Sequence, residues 1–228
     1  MQHSILFSQT YLPQFLSGAW WTLVLSVGAW SIALLLGTAM ALLRDAGNRW
    51  CQHLVALYVA YHRNVPALVH VMLWYFGIST LLPQGVQSWA IEHGGEMIFA
   101  TLALGLCMSA YFCEDIRSGL RAIPDGQREA SRSLGMTYMA TMRHVMLPQA
   151  VRAAIPSFIN NSVVLFKNTS MAMAIGVTEL TYVVREIESE TFRTFESYAL
   201  ATAFYISGSL VIMALGVWIS HRLHTPQR

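Results

Sequence analysis

Charge is what this sequence has least of. Only 11% of its 228 residues are Asp, Glu, Lys or Arg, lysine occurs once, as Lys167, and the formal net charge is +2. Soluble domains carry about a quarter charged residues, so that class is excluded. The small net charge gives no electrostatic footprint for nucleic acid, and a chain this apolar (55%) is the opposite of a disordered one. Cys51, Cys107 and Cys113 have neither zinc-site nor redox spacing and read as small apolar fillers. A P-loop needs Gly-Lys-Ser/Thr after a glycine-rich turn, but the one lysine follows Phe166. The chain therefore hydrolyses no ATP itself, is not expected to be an enzyme, and calls for no cofactor and no metal.

What is present is apolar length. No charge of either sign occurs from Met1 to Leu43, or from Asn64 to Ile91, and both runs exceed the roughly 20 residues a membrane-crossing helix needs. Five segments stand out: Phe15 to Leu43, Leu54 to Leu82, Met97 to Cys113, Pro156 to Thr178 and Ser197 to Ser220. None shows the alternation of a membrane β-barrel, and helices satisfy their own backbone groups in lipid. An all-α membrane protein of about five transmembrane helices follows, as a single domain over 15–222. Ala29, Ala33, Gly37 and Ala41 line one face of the first span, a stripe that lets another helix approach closely.

Orientation follows from the basic residues. Arg44, Arg49, Arg117, Arg121, Arg128, Arg132, Arg143, Arg152, Arg222 and Arg228 fall on one side, against Arg185 and Arg193 on the other. Cytoplasmic loops retain arginine, which places the N-terminus outside and the C-terminus in the cytoplasm. No basic region precedes the first apolar run, so that run reads as an uncleaved helix in a multi-pass membrane protein.

The cytoplasmic stretch from Ile116 to Ala154 carries the chemistry. Pro124 and Asp125 start a helix, with the Asp carboxylate available to cap amides. Gly135 interrupts the run, and Pro148 ends the next one. Two short helices meeting at an elbow are expected over about 124–148, the second with Met139, Met142 and Met146 on one adaptable face.

These residues resemble a known family. Glu129-Ala130-Ser131, three residues, Gly135, nine residues, then Val145-Met146-Leu147-Pro148 is similar to the EAA loop of permease subunits in bacterial ATP-binding-cassette importers. Ser131 for Ala and Val145 for Ile are departures that keep the spacing. His62-Arg63-Asn64-Val65-Pro66-Ala67-Leu68-Val69, Gly126-Gln127-Arg128-Glu129-Ala130 and Leu147-Pro148-Gln149-Ala150 are similar to phrases of the polar-amino-acid branch. Phe166-Lys167-Asn168-Thr169-Ser170 with Ile175-Gly176-Val177-Thr178-Glu179-Leu180 resembles permeases for glutamate and aspartate.

The resemblance implies a type I (MetI-like) permease fold in the bacterial inner (plasma) membrane. It further implies a second permease, identical or homologous, a cytoplasmic ATPase dimer, and a periplasmic or lipid-anchored amino-acid-binding protein, all within membrane lipid. Gly126, Glu129, Ala130, Gly135, Met139, Met142, Leu147 and Pro148 are the expected ATPase-coupling residues. Lys167 with Asn168, Thr169 and Ser170 forms an expected polar band on the translocation path, because a cation within a span usually faces the bundle interior. Arg63 and Glu114 read as headgroup anchors, and the outer loop Glu179 to Glu196, with five carboxylates, as a docking surface.

Two other classes compete. An ion-coupled secondary transporter usually shows inverted repeats, into which five spans do not divide. An intramembrane serine protease would use Gly77-Ile78-Ser79-Thr80, but its nucleophile needs a base in reach, and His70 lies along the same helix.

Overall fold

The computed structural model describes residues 10–46 and 49–223, and among these no strand occurs. The helices are α1 (Tyr11–Ala46), α2 (Arg49–Asn64), α3 (Ala67–Met72), α4 (Ser79–Leu81), α5 (Gln84–Glu92), α6 (Gly95–Arg121), α7 (Asp125–Ser133), α8 (Tyr138–Thr141), α9 (Leu147–Asn168), α10 (Leu180–Thr191) and α11 (Thr194–Leu223). π-helical turns occupy Leu73–Ile78 and Met142–Met146, and a 3₁₀ turn Thr169–Ile175. Among the described residues α1, α6 and α11 are each long and apolar enough to cross a bilayer. At 1.5 Å per residue they extend about 54, 40 and 45 Å, more than a hydrocarbon core of roughly 30 Å, so they tilt or project.

The second and fourth expected spans are corrected. Leu54 to Leu82 is not one straight helix: α2 and the helical stretch Ala67–Leu81 meet at 106°. The break lies at Val65-Pro66, where a proline forces the residue before it out of helical geometry. Pro66 then opens α3, its carbonyl accepting from Val69 N (3.0 Å) and His70 N (3.2 Å). Leu82-Pro83 and Ile123-Pro124 act likewise at the starts of α5 and α7. The fourth helix begins at Leu147 and stops at Asn168 rather than running from Pro156 to Thr178. Beyond it the backbone tightens to 3₁₀ geometry, and Gly176 takes a left-handed φ of 88°. The chain then turns back into α10, which is too short to cross.

α6 is the axis of the bundle, with α1 along one side and α9 along another. The small-residue stripe is where α1 meets α6: Ala29 and Ala33 are fully buried and Ala41 nearly so. A Cβ on Gly37 would stand 2.8 Å from the Phe112 Cβ, and one on Gly105 2.8 Å from the Ile32 Cβ. The two backbones thus approach as closely as glycine permits. Phe112, fully buried, joins three helices by edge-on contacts to Trp30 of α1 (6.2 Å) and Phe158 of α9 (4.8 Å).

Candidate functional site

Residues 124–148 form the expected elbow. α7 ends in a Schellman arrangement: Gly135 N donates to Arg132 O (2.9 Å) and Met136 N to Ser131 O (3.1 Å), with Gly135 at φ 74°. Thr137 then caps α8, its Oγ1 accepting from Ala140 N at 3.3 Å. Gly126, Glu129, Ala130 and Gly135 are exposed. Leu134 (81% exposed), Met139 (69%) and Tyr138 (45%) add an apolar surface at the tip.

Three expectations about this loop change. Asp125 does not cap α7; Pro124 holds the cap position without a side-chain hydrogen bond, and Asp125 stands in the first turn, where a carboxylate complements the helix dipole. Pro148 does not end a helix but lies at the start of α9, which continues from α8 through the π turn Met142–Met146. The wider turn relieves the clash a proline ring makes with the carbonyl four residues back. That turn also splits the methionine face. Met139 stays exposed, whereas Met142 (4%) and Met146 (3%) point into a core with Val55, Ile116 and Leu120. Leu147 is half-buried and Pro148 exposed.

The elbow is held to the end of α1 by a residue that sequence reasoning missed. Asp45 accepts from Tyr138 Oη of α8 (2.7 Å) and from Arg128 Nη2 of α7 (3.3 and 3.4 Å). Partial burial and the neighbouring carboxylate push the Tyr138 phenol up to about 12, so it remains a donor at neutral pH. One residue earlier, Arg44 bonds Glu114 of α6, which also takes Arg117 (3.3 Å) and Arg121 (4.0 Å). Glu114 is thus the hub of an arginine cluster. A basic recess of about 690 Å³, lined by Arg44, Arg117, Arg121 and Arg128 with Asp45 and Asp125, opens beside it. Arg63 stands in the last turn of α2, just before the break, its guanidinium over the Tyr111 ring at 5.4 Å.

The polar band lies elsewhere. Lys167 occupies the last turn of α9 rather than the middle of a span, and is exposed. It lines a groove of about 510 Å³ with Ser170, Thr181, Tyr198, Tyr205 and Ser209. Thr169 is fully buried and its hydroxyl donates to Phe166 O (2.7 Å), so it does not share that groove; Ser170 Oγ donates to Lys167 O (2.8 Å). Asn168 is half-buried. Glu179, expected on an exposed acidic loop, is fully buried. It caps α10 by accepting from Thr181 N and Tyr182 N (both 2.9 Å) and also takes Tyr205 Oη (2.9 Å). Lys167, Thr181, Tyr205 and Glu179 thereby form one polar sector, absent from the linear pattern because it joins α9, α10 and α11.

The protease alternative finds no paired groups. Ser79 Oγ donates to the carbonyl of Tyr75, and His70 stacks on His62 with ring centroids 4.9 Å apart. Among the described residues no cluster of three or more His, Cys, Asp or Glu is placed to hold a metal ion.

Comparison with known proteins agrees with this architecture. Residues 33–225 match the family described as "Binding-protein-dependent transport system inner membrane component". The chain is 31% identical over 221 residues to the glutamate/aspartate import permease protein GltJ of Escherichia coli (strain K12), covering 95% of this chain and 90% of that one. It is 33% identical over 206 residues to the probable glutamine ABC transporter permease protein GlnM of Bacillus subtilis (strain 168), covering 90% of each. A crystal structure of an amino acid ABC transporter with histidines superimposes with a TM-score of 0.82 at 32% identity, over 97% of this chain and 100% of that one. The fold is that of type I ABC-importer permeases. The chain therefore belongs to the inner-membrane components of binding-protein-dependent transport systems, as an ABC-importer permease that is not itself an enzyme and whose transport is driven by a separate ATPase.

Proposed function

We propose that this chain carries polar amino acids, with glutamate and aspartate as its substrates, along a path bordered by Lys167 and Ser170. The observation that carries the proposal is the groove itself. The only lysine in the sequence opens into a groove whose wall is largely apolar, with Ala201, Ile206, Leu210 and Met213, but where the ammonium can meet a solute carboxylate and the hydroxyls of Thr181, Tyr198 and Ser209 can accompany it. The groove between α1, α9 and α11, walled by Val27, Trp30, Phe158 and Ile159 with Ser26, Thr38 and Ser162, has no charged side chain among its lining residues to meet a carboxylate. The likeness to GltJ supports acidic amino acids, and the likeness to GlnM makes glutamine the competitor to exclude.

In this reading the N-terminus is outside, so α7 and α8 lie in the cytoplasm, where the arginine bias places them. The exposed residues Gly126, Glu129, Ala130, Gly135 and Met139 meet the ATPase dimer, while Met142, Leu147 and Pro148 support that surface from behind. A second permease, identical or homologous, completes the path, and an amino-acid-binding protein delivers solute from the other side. Closure of the ATPases moves the elbow as a rigid body and switches access.

The test is uptake by the complete transporter in proteoliposomes, with glutamate, aspartate and glutamine offered separately. Lys167→Glu is expected to abolish glutamate uptake with ATPase assembly intact, and Lys167→Arg to retain part of it. Unchanged glutamate uptake by the assembled Lys167→Glu transporter removes Lys167 from the path. Faster transport of glutamine than of glutamate by the natural chain refutes the acidic substrate.

A further inference from the structure

We propose that Asp45 is a positioning residue that makes the end of α1 a third support of the elbow, so that displacement of α7 and α8 passes to α1 as well as to α6 and α9. The inference rests on the reading of the elbow as the ATPase contact. Two of the supports are covalent. α6 runs into α7 through Ala122–Pro124, and α8 continues through the π turn into α9. α1 has no such link, because its chain leaves the elbow for α2.

The carboxylate supplies what the chain does not. It bonds both arms of the elbow at once, Arg128 on α7 and Tyr138 on α8, one on each side of Gly135. Nothing lies within 4 Å of where a Gly135 Cβ would stand, so side-chain packing there does not fix the angle between the arms. The Asp45 carboxylate adds to the backbone hydrogen bonds of the turn a tie across both arms, a short charge-assisted bond from Tyr138 (2.7 Å) and a longer ion pair with Arg128 (3.3 Å). Arg44, the adjacent residue, fastens the same end of α1 to Glu114 of α6. From there α1 and α6 run in glycine-close contact through Gly37 and Gly105. A push on the elbow therefore reaches two spanning helices that move as one body.

The experiment measures ATP hydrolysed and solute imported in the same proteoliposomes, for the complete transporter carrying Asp45→Asn, Tyr138→Phe, Arg128→Gln, or Asp45→Asn with Tyr138→Phe. Asp45→Asn is expected to bind the ATPase as the natural chain does and to hydrolyse ATP, while the ATP used per solute imported rises roughly fivefold, the ratio that about 1 kcal/mol of lost coupling gives. Tyr138→Phe and Arg128→Gln each raise it less, and the double variant is no worse than Asp45→Asn. A fall in uptake from mere misfolding would lower both measurements and leave their ratio unchanged. An unchanged ratio in all four variants overturns the proposal. Loss of ATPase binding in Asp45→Asn also overturns it, by making Asp45 part of the docking surface. Failure of the natural chain to bind an ATPase at the elbow removes the underlying reading and the proposal together.

Discussion

Gly119→Ala tests how tightly the two central helices pack near the elbow. A Cβ built on Gly119 of α6 stands 2.2 Å from the carbonyl oxygen of Ala150 on α9, where real Cβ contacts keep at least 3.0 Å. The shortfall of about 0.8 Å is one that close-packed helices cannot absorb by rotating a side chain, because the atom met is backbone. α6 and α9 must part, loosening the buried contacts of Ile116, Leu120 and Met146 around them. Overpacking of this kind costs about 1 to 3 kcal/mol, which for a chain of this length lowers Tm by roughly 2 to 12 °C. The assay is thermal unfolding of the purified chain followed by tryptophan fluorescence. Gly85→Ala, in α5 with nothing within 4 Å of the new methyl group, is the control and keeps or slightly raises Tm. Adding Ala150→Gly to Gly119→Ala brings no recovery, since the carbonyl stays in place. A Gly119→Ala chain that melts with the natural one would refute this packing.

Two further outcomes follow from named bonds. Glu179→Ala removes the acceptor for Thr181 N, Tyr182 N and Tyr205 Oη at a buried position and is expected to cost about 2 to 4 kcal/mol, read as a lower Tm, with Glu179→Gln recovering part of it. Because the folded chain holds the Tyr138 proton up to about pH 12 rather than 10, the stability tied to that proton is complete below about pH 10 and lost between about pH 10 and 12. In alkaline thermal scans Tyr138→Phe removes that share of the loss, whereas between pH 6 and 9 the natural chain shows none of it.

The spanning helices α1, α6 and α11 were legible because absence of charge over such lengths has one physical solution, burial in lipid. The Ala29, Ala33, Gly37 and Ala41 stripe and the Gly135 elbow were legible as well, since small size and φ freedom are intrinsic to those residues. The breaks at Pro66 and Gly176 were hidden by hydropathy, which averages over a kink without registering it. Val65-Pro66 carried the needed signal, a residue barred from helical geometry inside an apolar run. The methionines misled because helical spacing of Met139, Met142 and Met146 defines a face only while the turn stays α-helical, and the π turn rotates the last two inward. Asp45 gave no local sign of its role. Its partners lie 83 and 93 residues away, a relation that only the packed bundle creates.

If the tip of the α7–α8 elbow receives a separate ATPase, as proposed, cysteine capture reads the contact itself. With Cys51 replaced and Cys107 and Cys113 buried, Met139→Cys at the exposed tip is treated with a bifunctional thiol crosslinker in membranes containing the whole transporter, beside Phe195→Cys (89% exposed) at the start of α11. An adduct is expected between Met139→Cys and the ATPase, and none from Phe195→Cys. Capture of the ATPase at Phe195→Cys, or its failure at Met139→Cys in a transporter that still imports, would contradict it.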